Sequence, residues 1–194
     1  MNKNQSQIDP RVLRTRKLIK DAFVNLLEDI DVEKMTVSKI AEKATISRVA
    51  FYHHYQDIPD MLEKMADDMA EEIHGIISRY VDDNRDNADE LMLISLLEFI
   101  AKHAAFYKVT LGSRKAPIFT ERLSDKLTEM ITMRKKLKQG NKSRTQNEIP
   151  MDIATWYGTS ALIGTIVSWL RNDMPYTPQY LAKQFYLLTL KLNR

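Results

Sequence analysis

The stretch "TISRVAFYHHYQDIP", residues 45–59, sets two adjacent histidines, His53 and His54, among Tyr52, Tyr55 and a single arginine, Arg48. Imidazoles in such a setting suggest metal ligation, acid–base catalysis, or a grip on a charged surface. Metal ligation fits poorly. Adjacent helical residues point about 100° apart, neither histidine has another three or four positions away, and His74 and His103 fall in other helices. The sequence contains no cysteine, which excludes thiolate nucleophiles, disulfides and cysteine-ligated zinc. It also lacks a phosphate-cradling glycine loop, a nucleophile elbow and a His-x-x-x-His pair. The paired acids Asp67–Asp68, Glu71–Glu72 and Asp82–Asp83 read as the solvated face of one long helix. No catalytic residue, metal site or cofactor is expected, and the chain does not read as an enzyme.

The third chemistry needs helices to carry it. Apolar residues recur at helical spacing almost everywhere, strand-like alternation is absent and there are only five glycines, so the fold class is all-α. Ile19, Ala22, Phe23, Leu26, Leu27 and Ile30 make one stripe of a first helix that starts near Pro10, with Asp9 as its cap. Thr36 is a suitable cap for a short second helix. Ser47 caps a short third helix running to about His53, and Asp57 caps a long fourth helix over 57–80. "DELMLISLLEFIAKHAAFYKVTL" is apolar nearly all round and reads as one buried central helix. A helix through Phe119–Leu137, a polar loop over 138–148, and helices over 150–172 and 178–192 complete the chain.

Two short helices joined by a tight turn, residues 36–55, form a helix-turn-helix, the smallest device for laying a helix in the major groove. Ile40, Ala41, Ala44, Ile46 and Phe51 lock the pair together, while Arg48, Val49, Tyr52 and His53 occupy the opposite face. Arginine reads guanine by two hydrogen bonds and small apolar side chains suit the thymine methyl. Tyrosine and histidine hold phosphates. Phe51 and Tyr55 read as core, whereas Tyr52 and His54 stay open between packing and phosphate contact.

The formal net charge is only +3, too small to argue for nucleic acid by itself. Its distribution is uneven. Arg11, Arg14, Arg16, Lys17 and Lys20 make the first helix basic, and Arg134, Lys135, Lys136, Lys138, Lys142 and Arg144 form a second run, readable as plain solvated surface. The polar amino terminus has no signal-peptide pattern, and the apolar run "ALIGTIVSWL" is half the length of a membrane span. A cytoplasmic protein with no membrane partner is expected.

The segment "AFVNLLED…VEKMTVSKIAEKATISRVAFYHHYQDIPDMLEKM" (22–65) resembles the amino-terminal domain of the TetR/AcrR family of bacterial transcriptional regulators. Ala22-Phe23, Thr36, Ile40-Ala41, Ile46-Ser47, Phe51-Tyr52 and His54-Tyr55 fall in the family's register. The resemblance implies domains at 8–56, for DNA binding, and 57–194, for effector binding and dimerisation. It also implies a homodimer, most naturally a repressor, on a palindromic operator of double-stranded DNA. Ser38, Arg48, Val49 and Ala50 would face bases; Thr36, Ser47, Tyr52, His53 and His54 would hold the backbone. Two departures stand out. Thr45 occupies the turn position that is usually glycine, and Ile58 stands where the family has a phosphate-binding lysine.

"WLRNDMPYTPQYLAKQF" (169–185) resembles the ending of a sub-branch related to regulators of dihydroxyacetone kinase. Ala154, Gly158, Ala161 and Thr165 form a small-residue row that suits either a close dimer seam or packing within one subunit. Met92, Phe99, Phe106, Tyr107, Trp156, Tyr157 and Trp169 either line an apolar effector pocket or fill the core. The effector would be a small molecule or a protein, and a tilt of helix 57–80 would carry its signal. A helical interaction module with weakened DNA binding is the alternative.

Overall fold

The computed structural model describes residues 9–80, 85, 87–112, 115–139 and 149–192, all helix, turn or connection, with no strand among them. By contacts along the chain it divides at Met65–Ala66 into two compact units.

In the first unit, α1 spans Pro10–Asp29 and starts at Asp9, whose side chain accepts from the Arg11 N–H at 2.8 Å. Ile19, Ala22, Phe23, Val24 and Leu27 are buried, while Leu26 and Ile30 are half-buried. A single 3₁₀ turn, Val32–Lys34, follows and brings Met35 into the core. Thr36 caps α2 (Val37–Lys43) and Ser47 caps α3 (Arg48–Tyr52). The Lys39 N–H donates to Thr36 Oγ1 at 3.3 Å and the Ala50 N–H to Ser47 Oγ at 3.1 Å. A five-residue helix does not persist alone. α3 is held because Phe51 is fully buried, its ring 5.8 Å from that of Tyr52 and 5.5 Å from that of Tyr55. α4 (Ile58–Ser78) opens with a reciprocal cap. The Asp60 N–H donates to Asp57 Oδ1, and Asp60 Oδ2 accepts from the Gln56 N–H, both at 2.8 Å.

In the second unit, the single central helix expected from the sequence is interrupted. α5 (Ala88–Lys102) ends at His103, a short α6 (Ala104–Tyr107) follows, and a π-helical turn spans Lys108–Gly112. The change of winding lets the consecutive residues Phe106 and Tyr107 both enter the core; the Phe106 ring stands 5.4 Å from Phe119. A run that is apolar on every side carries no phase, so a register shift within it leaves no trace in the hydrophobic pattern. α7 (Pro117–Gln139) packs on α8 (Met151–Arg171), and α5 on α9 (Pro178–Leu192). The buried threonine hydroxyls find partners: Thr110 donates to the Phe106 carbonyl and Thr155 to that of Met151, while Thr159 meets Thr128 at 3.2 Å. The side chains of Arg134, Lys135, Lys136 and Lys138, most of the loop expected at 138–148 with Lys142 and Arg144, and the pair Asp82–Asp83 lie outside the described residues. No described helix is long and apolar enough to cross a membrane.

Candidate nucleic-acid interface

The α2–α3 turn sets which face of α3 is offered outward. The Ile46 N–H returns to the Ala41 carbonyl at 2.9 Å, and Thr45 takes a left-handed φ of 56° between them. Ile40, Ala41, Ala44 and Phe51 are buried by this geometry, and Ile46 is half-buried. Val49 (65 % exposed) and Tyr52 (56 %) therefore project into solvent together with Arg48 and His53. The Tyr52 ring keeps an edge-on contact with Phe51 while most of its surface stays open beside Val49.

The remaining expected contacts differ in exposure. Thr36, Ser38 and Ser47 are exposed, and Ala50 and His54 are half-buried. The Thr36 and Ser47 oxygens accept helix-capping bonds, which leaves each O–H free to donate to a phosphate. Between Thr36 and Tyr55 the cations Lys39, Lys43 and Arg48 face a single acid, Glu42. Ile58 sits half-buried at the start of α4. The nearest cation of that helix, Lys64, is already engaged, its Nζ 2.9 Å from Asp60 Oδ2 and 3.4 Å from the His54 carbonyl oxygen.

One neighbour was not legible in the pattern. Arg16 of α1 lies close enough to His54 to act on its charge. Burial, then the Arg16 guanidinium, then His53, hold the His54 imidazole below the ordinary histidine pKa. The basic composition of α1 announces cations there but not which of them reaches the end of α3.

The second unit treats the expected effector residues unequally. Met92, Phe106, Tyr107 and Trp169 are buried and Phe99 is half-buried against the His103 ring at 4.8 Å, so these five are packed core. Burial, with the Glu72 carboxylate adding to it, pushes the Tyr107 phenol far up. Trp156 (64 % exposed) and Tyr157 (60 %) do not join them. An open cleft of about 490 Å³ lies instead among Thr128, Thr132, Pro150, Met151, Asp152, Thr155 and Trp156, and only Trp156 belongs to the expected set.

Of the small-residue row, Ala154, Gly158, Ala161 and Thr165 are all half-buried. A Cβ at Gly158 would stand 3.4 Å from Ile131 Cδ1 of α7, in the same chain. The outward face of α8 is displaced from this row and carries Ile153, Tyr157, Ser160 and Gly164.

A helix-turn-helix that offers one face of α3 outward, followed by an all-α carboxyl-terminal domain, defines the class. Residues 19–65 match the family model described as bacterial regulatory proteins, tetR family, and residues 88–191 that described as a transcriptional regulator C-terminal region. The chain belongs to the TetR family of DNA-binding transcriptional regulators. It is similar to the uncharacterized HTH-type transcriptional regulator YxbF of Bacillus subtilis, 24 % identical over 174 residues, covering 88 % of this chain and 43 % of that one. The chain thus spans less than half of that relative's length. It is also similar to the nucleoid occlusion factor SlmA of Vibrio vulnificus, 22 % identical over 183 residues, covering 89 % of this chain and 92 % of that protein. Among solved structures, the dihydroxyacetone kinase operon activator DhaS shares the fold at a TM-score of 0.59 and 18 % identity, over 92 % of this chain and 95 % of that one.

Proposed function

We propose that the protein is a homodimeric repressor that binds a palindromic operator through α3, and that an effector acting on the second unit releases it. The observation that carries this reading is the division of labour within α3. Phe51 is fully buried and fixes the helix, while Arg48, Val49 and Tyr52 stand open on the far side. That edge matches groove reading by Arg48 and Val49, with phosphates held by Thr36, Ser47, Tyr52, His53 and His54, and with Ser38 and Ala50 beside the bases. Residues 8–56 are assigned to DNA binding and 57–194 to effector binding and dimerisation, a boundary at the start of α4 and not at Met65–Ala66, where the two compact units divide.

Dimerisation through α8 and α9 is supported by the apolar side chains left open on them: Ile153, Trp156 and Tyr157 on α8, and Tyr180, Leu187 and Leu188 on α9. Ser160 and Gly164 lie along the same side of α8 and would let a partner helix come close. Two recognition helices must stand about 34 Å apart to reach successive major grooves. α4 runs through both units, so an effector that favours a tilted α4 would change that spacing by as much as its affinities for the two forms differ.

The test is gel retardation of the DNA upstream of the protein's own gene at low and moderate salt. Sequence-selective retardation that is lost in Arg48→Ala supports the reading. Weak binding that is blind to sequence contradicts it and leaves the helical interaction module.

A further inference from the structure

Between α3 and α4 the chain is gripped by one ion pair of α4. Lys64 Nζ stands 2.9 Å from Oδ2 of Asp60, one helical turn before it. That same oxygen accepts from the Gln56 N–H at 2.8 Å, and Lys64 Nζ donates to the His54 carbonyl oxygen at 3.4 Å. The residue between them, Tyr55, is buried, its ring 5.8 Å from Lys64 Nζ and 5.5 Å from the ring of Phe51. The pair thus engages three consecutive residues, through a carbonyl, a ring and an amide. The Lys64 side chain, then the Gln56 N–H, hold the Asp60 carboxyl below the ordinary carboxylate range, so the pair stays charged at neutral pH. The reciprocal cap of α4 is complete without Lys64. What the lysine adds is a tie back to the end of α3.

We propose that Lys64 and Asp60 are positioning residues for sequence reading: touching neither base nor phosphate, they fix the angle between α3 and the first turns of α4 and so seat Arg48 and Val49. The inference rests on α3 being the DNA-reading helix. A helix of five residues cannot hold its own orientation. Phe51 anchors its buried side, and the tied connection fixes its end. Arg48 would read a base edge through two directed hydrogen bonds, which tolerate little rotation of the helix that carries them. The size of the effect is bounded. Both side chains are partly open to water, Lys64 45 % and Asp60 23 % exposed. An ion pair this exposed shifts an equilibrium by about fivefold at most. An operator that must re-seat a loosened α3 loses up to that factor in affinity. A duplex that α3 does not read loses none of it.

Two labelled duplexes of about 20 base pairs serve as probes. One carries the upstream sequence that the protein protects from nuclease, and the other has that composition scrambled. Affinities of the full chain are measured by anisotropy at one salt concentration, and the readout is their ratio. A charge removed near DNA, or a lost phosphate contact, acts on both duplexes alike and leaves the ratio unchanged. The ratio also cancels any loss of folded protein, so a role in stability alone does not move it. Lys64→Met and Asp60→Asn change the charge in opposite senses. Both are expected to lower the ratio by about three- to fivefold, and the double variant to lower it no further than either alone. Unchanged ratios in the single variants, ratios that move in opposite directions, or losses that add in the double variant overturn the positioning role and leave reading by α3 intact. A wild-type ratio of one removes the reading by α3, and the inference with it. Should Lys64→Met not fold, Asp60→Asn carries the test by itself: a lowered ratio supports the positioning role, and an unchanged or raised one overturns it.

Discussion

The Ile46 N–H donates to the Ala41 carbonyl oxygen at 2.9 Å across Thr45, whose φ is 56°. A β-branched residue thus holds a left-handed conformation that favours glycine, at a cost of about 1–2 kcal/mol. The turn keeps its shape in spite of its residue, so the departure from glycine is a loss of stability and not of geometry.

Thr45→Gly is accordingly expected to stabilise the first unit by about 1 kcal/mol, part of the relieved strain being offset by glycine's greater freedom when unfolded. Urea unfolding of the intact chain reads this as a higher midpoint at unchanged slope. DNA affinity should hold, because residue 45 lies in the turn and not on the outward face of α3.

Phe51 and Arg48 share α3 and should fail in opposite ways. Phe51→Ala empties a fully buried site and is expected to cost about 3–5 kcal/mol of stability. Arg48→Ala removes an exposed side chain, and its melting curve should shift within about 0.5 kcal/mol of wild type. Its loss should be confined to operator affinity, about 1–3 kcal/mol. Circular dichroism melts and anisotropy titrations on the same samples separate the two.

The outward face of α8 makes a sharp prediction at Gly164, where an added Cβ meets nothing within 4 Å in the same chain. Gly164→Gln should therefore strengthen the helix within a subunit by about 0.5–1 kcal/mol. If that face is the dimer seam, the same substitution pries two copies apart. Sedimentation should show a larger monomer fraction for Gly164→Gln and for Leu188→Glu, whose wild-type side chain is 60 % exposed on α9.

The depressed pKa of His54 also links stability to pH. Burial and Arg16 keep its imidazole less basic folded than unfolded, so the unfolded chain binds more protons at mildly acid pH. Its contribution is complete above the unfolded value of about 6.5 and is lost as the pH falls through the folded value. Thermal melts should show the wild type losing more stability between neutral and mildly acid pH than His54→Gln.

Legibility in the sequence followed the range of the interaction. Asp9, Thr36, Ser47 and Asp57 cap the helices assigned to them because a cap is a matter of adjacent residues. The break at His103 was hidden because the run around it is apolar on all sides. Trp156 and Tyr157 were grouped with the interior aromatics by residue type, yet α8 turns them outward; type alone does not report which face a helix buries. The approach of Arg16 to His54 joins residues on separate helices, and no local spacing encodes it.

The central claim, that α3 reads a specific duplex, is tested most directly by comparing affinities for two duplexes at one physiological salt concentration. One carries the upstream sequence that the protein protects from nuclease; the other has the same composition scrambled. A preference of about 10³ or more for the first, falling by about 1–3 kcal/mol in Arg48→Ala at unchanged stability, is expected. Equal affinity for both, or a preference that survives Arg48→Ala, Val49→Ala and Tyr52→Phe alike, contradicts the assignment of α3 as the reading helix.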